Sequence, residues 1–307
     1  DINTPQFVHG SIQLYGGVED SLLETAEAIL EQFPSSTKSQ SENSLDAKAF
    51  ATRAAEEIAY LNHQNQNVQA TVEVRDDING LIVSHGSLLV GSDTNISIER
   101  VDALLQHEIG THVLTYYNGL AQPFLQLSSG LSGYEALQEG IAVLAEFLVG
   151  GLSANRLRLL AARVVAVRMM IQGATFLECF QKLVDQFQFP PRTAFNVSMR
   201  VFRGGGFTKD AIYLRGLVLT LEYLGKGGEL GPLFLGKISA EHISMMKELR
   251  WRKVLTEPKL KPRYMTDPAA LVRLERVRRG MSVLELVEPN GEAEPLSHRN
   301  REELNYL

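Results

Sequence analysis

The stretch VDALLQHEIGTHVLTYY, residues 101–117, decides the fold of this chain. Its apolar residues recur at the three- and four-residue spacing of a helix with an apolar face. The same stretch contains His107, Glu108 and His112. Burying three polar groups in apolar surroundings is costly unless they have partners. The stretch therefore predicts a buried helix whose polar side chains share a ligand, and a metal ion fits two imidazoles and a carboxylate.

His107 and His112 are at positions i and i+5 of this helix. An α-helix turns about 100° per residue, so these two side chains would point about 140° apart. In the familiar HExxH motif the histidines are at i and i+4 and share one face. A π-bulge accommodates one extra residue in the turn and restores a shared face, and Gly110 can ease the backbone distortion. The HExxxH spacing therefore predicts a π-bulge within the helix.

A second apolar helix, YEALQEGIAVLAEFLVGGL at residues 134–152, offers a third ligand. We prefer Glu139, while Glu135 and Glu146 on the same helix are alternatives. Two imidazoles, one ligating carboxylate and one free carboxylate are what a catalytic zinc ion needs to generate a nucleophile from water. A lone HExxxH more often contains surface or core histidines. The apolar setting of both helices favours the metal site.

The composition is that of a globular protein with a substantial core. The 307 residues are 44% hydrophobic and 21% charged. A net charge of −6 gives no support to nucleic acid or an anionic membrane as a partner. No segment has the roughly 18 uninterrupted apolar residues of a membrane span. We expect a protein that binds neither nucleic acid nor membrane.

The single cysteine and the N-terminal sequence bear on the cellular compartment. Cys179 cannot form an intrachain disulfide, which fits a reducing compartment, and its apolar surroundings favour a buried structural thiol. No signal peptide pattern is visible, so we expect a cytoplasmic protein. The chain begins at Asp1 rather than methionine, and we expect its natural N terminus to lie upstream.

The sequence divides into three regions that we expect to form one compact unit. Residues 1–68 are an N-terminal helical region that begins with an irregular or extended stretch at 4–17, residues 69–250 are the catalytic core, and residues 251–307 are a C-terminal wrapping segment. Apolar and polar residues alternate at 69–74, as in a half-buried strand. The segment LIVSHGSLLV at 81–90 predicts two short strands with a turn at Gly86. These strands precede the HExxxH helix, where an edge strand can hold a peptide by strand addition. The predicted fold class is α+β, mostly helical with a small sheet.

Three motifs in this order resemble the microtubule-associated tyrosine carboxypeptidase family. They are HEIGTH, QEGIA and RGGGFTKDAIYLRG. Residues 74–236 are similar to its bacterial branch, whose members are called flavohemoglobin expression-modulating QEGLA motif proteins. The resemblance implies a zincin-like metallopeptidase fold with one zinc ion, bound by His107, His112 and Glu139. It also implies a zinc-activated water as nucleophile, with Glu108 as general base.

The resemblance further implies a carboxypeptidase that acts on a peptide or protein C terminus. Eukaryotic members remove the C-terminal tyrosine of α-tubulin, so the terminal residue here is expected to be tyrosine or another aromatic residue. The reaction needs a donor to the oxyanion, for which Tyr213 is the first candidate and Tyr116, Tyr117 and Tyr134 are alternatives.

The terminal carboxylate of a substrate also needs a cation, because an arginine fork or a lysine pairs with it. Arg203 and Lys209 flank the glycine run at 204–206 and are preferred, with Arg200 and Arg215 nearby in sequence. Tyr134 is expected to contribute to the substrate site. The structural alternative is that these cations are surface charges at helix ends.

Two other functions are compatible with the sequence. One is a noncatalytic regulatory or binding protein stabilised by a metal. The other is a different zinc-dependent amide hydrolase. A purely structural zinc site has no use for a free glutamate beside its ligands and is usually rich in cysteine. Glu108 and the single cysteine therefore favour the peptidase.

Overall fold

The computed structural model describes residue 2 and residues 4–35 and 43–287. Its strands are β1 (Ser44–Asp46), β2 (Val72–Arg75), β3 (Leu81–Ser84), β4 (Ser87–Gly91) and β5 (Asn95–Ser97). Its helices are α1 (Pro5–Tyr15), α2 (Asp20–Gln32), α3 (Ala47–Gln64), α4 (Ile98–His107), α5 (Leu114–Leu120), α6 (Gln126–Ser129), α7 (Tyr134–Leu148), α8 (Ala154–Ile171), α9 (Phe176–Gln181), α10 (Pro191–Phe202), α11 (Ile212–Gly225), α12 (Ile243–Trp251) and α13 (Pro268–Arg278). The chain is mostly helical with small sheets, which confirms the predicted α+β class.

The chain forms two compact units, each built from separate stretches of sequence. The first unit comprises Asp1–Lys38, Leu152–Val218 and Ser282–Leu307. The second comprises Ser39–Gly151 and Leu219–Met281. The proposed division into residues 1–68, 69–250 and 251–307 follows the sequence order and stays a prediction.

The second unit contains a three-stranded sheet in the order β2-β4-β3. β2 runs parallel to β4, and β3 pairs antiparallel with β4 with Ser84 opposite Ser87. His85 and Gly86 form the two-residue turn, with φ of 47° and 77°. Positive φ at both positions is typical of the hairpin turn that matches strand twist, so the predicted turn at Gly86 is confirmed. A separate antiparallel pair, β1 and β5, leads into α4.

The HExxxH segment lies in the core of this second unit. α4, a π-helical turn at Glu108–Val113 and α5 follow one another without a break. This continuous helix packs against α7 and α3, and the π turn also contacts β3 and β4. α7 is buried around most of its circumference, as expected for a helix that is apolar on nearly all sides. Fully buried side chains of this core include Ile109, Leu114, Ile141, Leu144 and Leu148.

The first unit is a helical assembly in which α2 packs on α8 and α8 packs on α10. The buried positions of α2 are Leu22, Ala26, Ile29 and Leu30, which form one helical stripe. Cys179 is buried on α9, as predicted, and Oγ of Ser198 donates to its sulfur over 3.7 Å.

The expectation of an irregular or extended stretch at residues 4–17 is wrong. Pro5–Tyr15 is an α-helix with proline at its first position, where the missing N–H is not needed. Its Ser11 is buried within the first unit and accepts a 2.8 Å hydrogen bond from the backbone N–H of Thr208. Contacts between distant parts of the sequence therefore stabilise a helix that the local pattern did not indicate.

Among the described helices, none combines the length and the apolar character needed to cross a membrane.

Candidate metal centre

The π turn predicted from the HExxxH spacing is present. It spans Glu108–Val113 and is flanked by α-helix on both sides. In a π-helical turn the hydrogen bonds run between residues five apart, so such residues lie above one another on one face. The ring centroids of His107 and His112 are accordingly only 5.2 Å apart. The predicted distortion is confirmed, and it places both imidazoles on the same face of the helix.

Glu139 on α7 completes a cluster with the two histidines. Its Oε2 atom is 3.5 Å from Nε2 of His107 and 3.7 Å from Nε2 of His112. The three ligand atoms lie within 4.8 Å of one another, and no other group of this kind occurs among the described residues. Ligands about 2.0–2.1 Å from a tetrahedral zinc ion are about 3.3 Å apart, which is close to these separations. The cluster can hold a metal ion.

The contacts of Glu139 fit a cation ligand. Its Oε2 atom is buried and accepts no hydrogen bond from the described residues. The two histidine nitrogens are too distant for ordinary N–H···O bonds, which have a separation of about 2.9–3.0 Å. A buried carboxylate oxygen without a donor is costly, and an ion in the space between the three side chains would remove that cost.

Glu146 orients His107 from the other side of the ring. Its Oε1 atom is 2.9 Å from Nδ1 of His107, and its Oε2 atom accepts a 2.7 Å hydrogen bond from Arg100. The side chain of Glu146 is fully buried. A carboxylate that holds one nitrogen of a histidine fixes the other nitrogen towards the metal. Glu146 is therefore not part of the three-residue cluster, as one sequence alternative had it, but holds the His107 ring in position.

A sequence signal for Glu146 does exist. Glu146 follows Glu139 by seven residues, which is two helical turns, so both carboxylates share a face of α7. Glu135, the other alternative, lies one turn before Glu139 and is not part of the cluster.

The electrostatics of the cluster favour a cation. Burial disfavours the charged form of His107, but contacts with Glu139 and Glu146 outweigh it and raise the pKa of His107 to about 10. Burial likewise opposes charge on Glu139, yet the two histidines hold its pKa well below the usual range. Burial raises the pKa of Glu108, against the opposing effect of both histidines. Three carboxylates, of which Glu146 is fully buried and Glu108 and Glu139 are partly exposed, surround two imidazoles and form a site that a divalent ion would neutralise.

Gln106 explains why the motif contains a glycine. Its Nε2 donates a 2.9 Å hydrogen bond to Glu57 of α3, and Glu57 also accepts a 2.7 Å bond from Arg263. A Cβ atom at Gly110 would lie 2.4 Å from Oε1 of Gln106. Gly110 therefore leaves room for a buried glutamine that ties the π turn to α3. The sequence had suggested only that Gly110 eases the backbone.

A hydrogen bond also joins the HExxxH helix to α7, which contains Glu139. Oγ1 of Thr115 donates to Oε1 of Gln138 over 2.8 Å, and both residues are buried. Because Gln138 precedes Glu139, this bond fixes the position of α7 along the HExxxH helix. Neither Gln106 nor Gln138 was among the residues predicted from the sequence.

The predicted substrate residues fall in both units. Tyr134 is the first residue of α7, in the second unit with the cluster of His107, His112 and Glu139. Arg203, Lys209, Arg215 and Tyr213 belong to the first unit. The guanidinium of Arg203 lies 5.1 Å from the Phe207 ring centroid, and Nζ of Lys209 lies 5.8 Å from that of Tyr15.

Arg215 and Tyr213 also have partners within the first unit. Arg215 donates to the backbone oxygen of Tyr15 over 2.8 Å and to Glu19 over 3.2 Å. The Tyr213 ring centroid lies 5.2 Å from the guanidinium of Arg163. The roles proposed for all four of these side chains stay predictions.

Comparisons with known proteins agree with the motifs. The profile of a family described as microtubule-associated tyrosine carboxypeptidase matches residues 1–282. A Mus musculus protein named "Putative tyrosine carboxypeptidase MATCAP2" is 28% identical over 208 residues, and the Homo sapiens protein of that name is 27% identical over 208 residues. Each alignment covers 63% of this chain and 38% of the relative. The chain thus spans well under half the length of these relatives. No solved structure matches it.

Proposed function

Because this chain belongs to the microtubule-associated tyrosine carboxypeptidase family, we propose that it is a zinc-dependent metallocarboxypeptidase of zincin-like architecture. The observation that carries the proposal is the convergence of His107, His112 and Glu139 on one point beside a second carboxylate, that of Glu108. Catalytic zinc sites typically have three protein ligands and leave the fourth position to water or substrate. Structural zinc sites are closed and usually contain cysteine, and the one cysteine of this chain is Cys179 on α9.

The proposed mechanism assigns each chain residue a separate task. His107, His112 and Glu139 would hold the zinc ion, which when bound acts as a Lewis acid and lowers the pKa of water. Glu146 and Arg100 keep the Nδ1 proton of His107 in place, so that Nε2 is the ligand atom. The carboxylate of Glu108 takes a proton from the attacking water and transfers it to the nitrogen of the leaving amine.

Glu108 is suited to this task by its surroundings. Its carboxyl group interacts electrostatically with both histidines and with Glu139 and Glu146, so it lies close to the cluster without being one of the three ligands. The pKa of Glu108 is raised towards neutral pH. A group that must first accept a proton and then release it is most effective when its pKa is close to the working pH.

A peptide can be aligned beside the cluster by β3. This strand is at one edge of the three-stranded sheet and contacts the π turn. Its side chain Ile82 is 43% exposed. An extended substrate added to this edge would form backbone hydrogen bonds and run past the HExxxH helix.

The oxyanion donor remains a choice between tyrosines. We keep Tyr213 as the first proposal, in the first unit. Tyr116, Tyr117 and Tyr134 are the alternatives in the second unit, and Tyr116 lies four residues after His112 on the same helix. A phenylalanine at the donor position should lower kcat by about 10²–10³ while leaving zinc bound.

The names of the relatives are the basis for a proposed substrate. The curated relatives are named as tyrosine carboxypeptidases, and we propose a C-terminal tyrosine or other aromatic residue as the preferred leaving group. Assignment to the bacterial branch rests on the similarity of residues 74–236 to its members, and it would make a peptide other than tubulin the natural substrate.

The experiment that tests the function is digestion of a peptide library by the zinc-loaded protein, with products identified by mass spectrometry. We expect loss of single C-terminal residues, abolished by chelation and restored by zinc. Internal cleavage would identify an endopeptidase instead. Absence of any cleavage by protein that binds one zinc ion would favour the noncatalytic alternative.

A further inference from the structure

Lys237 lies between two tyrosine rings in the second unit. Its Nζ atom is 5.5 Å from the ring centroid of Tyr116 and 5.7 Å from that of Tyr134. The backbone of Lys237 is fixed on both sides, since its N–H donates to the Leu127 oxygen over 2.8 Å and its carbonyl accepts from Leu131 over 3.0 Å. The fold thus fixes the backbone of Lys237, and its ammonium group contacts both tyrosine rings.

Both tyrosines belong to the helices that carry the metal ligands. Tyr116 follows His112 by four residues, so it lies about 6 Å further along the same helix and on the same side. Helical side chains lean towards the N terminus of their helix, which tilts the Tyr116 ring back towards His112. Tyr134 begins α7, the helix of Glu139. The ammonium of Lys237 is therefore held beside the two helices that form the metal cluster.

The tyrosine rings are themselves held by glycines. A Cβ atom at Gly86, in the β3–β4 turn, would lie 2.3 Å from the Tyr116 ring, and one at Gly130 would lie 2.3 Å from the Tyr134 ring. The rings pack directly on backbone at these points. The walls around Lys237 are preformed, as expected for a binding site rather than a mobile surface side chain.

Lys237 has no anionic partner within ion-pair distance in the part of the chain that the structure describes. Burial lowers its pKa, an effect opposed by the negative charge of Glu135, which lies near but beyond ion-pair range. A partly buried ammonium without a paired carboxylate has lost water without gaining an equivalent partner. Contacts with two aromatic faces compensate for part of that loss. The remaining need is for an anion.

We propose that Lys237 binds the free C-terminal carboxylate of the peptide substrate, with Tyr116 and Tyr134 forming the walls of that subsite. The inference rests on the proposed carboxypeptidase function and adds to it the cation that distinguishes a chain end from an internal peptide bond. It differs from the cations suggested by the sequence, Arg203 and Lys209, because Lys237 lies in the same unit as the metal cluster.

The test compares two labelled peptides of identical sequence, one with a C-terminal carboxylate and one with a C-terminal amide. Binding is measured by fluorescence polarisation to zinc-loaded Glu108→Gln protein, so that neither peptide is consumed. We expect the acid to bind roughly tenfold or more tightly than the amide, as for a charge-assisted contact. Lys237→Met should bring the two affinities to within about a factor of two by weakening the acid alone.

Further variants separate recognition from structure. Lys237→Arg should retain much of the preference for the acid, and Glu135→Gln should strengthen acid binding because a competing negative charge is removed. Lys247→Met is the matched control, since Lys247 also lies over a tyrosine ring, 5.7 Å from the Tyr223 centroid, but on α12. It should leave the preference intact. If Lys237→Met does not fold, Lys237→Gln allows the same comparison, and the ratio of acid to amide affinity is internal to each variant.

The outcomes distinguish this inference from the proposed function. Equal binding of acid and amide by the parent protein, or a preference that survives in Lys237→Met, would overturn the role of Lys237. In another outcome, the parent protein, with Glu108 intact, hydrolyses no peptide while binding still favours the C-terminal carboxylate over the amide through Lys237. That result would support carboxylate binding by Lys237 and refute the proposed peptidase activity. Hydrolysis of the carboxylate peptide and the amide peptide at equal rates would support the proposed peptidase activity and contradict carboxylate binding by Lys237.

Discussion

His107 and His112 are five residues apart in sequence, yet their ring centroids are separated by only 5.2 Å. A π-helical turn at Glu108–Val113 produces this proximity and leaves both Nε2 atoms near the same carboxylate oxygen of Glu139. An ordinary α-helix through the same residues would separate the two side chains by about 140°. The chemistry proposed for this protein therefore depends on a local departure from α-helical geometry.

Replacement of the proposed base should separate metal binding from catalysis. Glu108→Gln keeps the size of the side chain and removes the proton acceptor, while the three ligands are untouched. We expect zinc content to stay at one ion per chain and kcat to fall by about 10²–10⁴. Zinc analysis and peptide hydrolysis check the two parts, with the exposed Glu241→Gln as control. Hydrolysis at the parent rate would show that Glu108 is not the base.

Loss of the carboxylate behind His107 should weaken metal binding. Glu146→Gln removes the negative charge that faces Nδ1 of His107 and leaves Arg100 without its ionic partner. Such partners of metal ligands affect affinity by about 10–100-fold, and we expect a decrease in that range. A zinc competition titration measures it, and Glu135→Gln on the same helix is the control. Equal zinc affinities for Glu146→Gln and the parent protein would refute the positioning role.

The glycine of the HExxxH motif should be necessary for stability. Gly110→Ala would place a methyl group against the side chain of Gln106, which is held by its bond to Glu57. We expect a loss of about 1–3 kcal/mol in the free energy of unfolding, as for other overpacked sites. Urea denaturation measures this quantity.

The control for Gly110→Ala is a variant whose free energy of unfolding should increase. Gly10→Ala lies in α1, where an added Cβ meets nothing within 4 Å. Alanine is favoured over glycine within a helix by about 0.5–1 kcal/mol, so this variant should be stabilised. A Gly110→Ala protein as stable as the parent would indicate that Gln106 moves aside without cost.

The first unit contains a buried carboxylate that should make stability depend on pH. Burial disfavours the charge on Asp210, but two hydrogen bonds from Arg200, of 2.7 and 2.8 Å, and the charge of Arg163 outweigh this and lower its pKa. A lowered pKa in the folded state means that the contribution is complete above the ordinary value of 3.8 and is lost as the pH falls further.

Asp210→Asn should therefore destabilise the protein near neutral pH and reduce its sensitivity to acid. We expect a loss of about 1–3 kcal/mol, below the full cost of breaking a buried pair because Arg200 stays partly exposed. Denaturation between pH 7 and pH 3 checks the expectation, with Glu222→Gln from an exposed pair as control. An unchanged slope of stability with pH below 4 would contradict it.

Several features of the fold and site were predictable because they depend on local sequence. The i, i+5 spacing of His107 and His112 required a π turn if both bind one ion, and the turn is present. The hairpin followed from Gly86 between two β-rich segments. Glu139 was distinguishable from its neighbours by its place in the QEGIA motif, and it is the carboxylate in the cluster.

Other features depend on contacts between residues distant in sequence, which local patterns do not contain. α1 is helical in a stretch expected to be irregular or extended, and its Ser11 accepts a hydrogen bond from Thr208. Glu146 was considered a ligand because its pairing with Arg100 on another helix is invisible from spacing alone. Lys237 is in no recognisable motif. Its proposed role depends on contacts with the Tyr116 and Tyr134 rings, which lie on two different helices. The two units likewise combine segments that are far apart in the chain.

The most direct test of the central claim is anomalous diffraction at the zinc absorption edge from crystals of the zinc-loaded protein. The account predicts one strong peak about 2.0–2.2 Å from Nε2 of His107, Nε2 of His112 and a carboxylate oxygen of Glu139. A peak at another position, or none in crystals soaked with excess zinc, would contradict it.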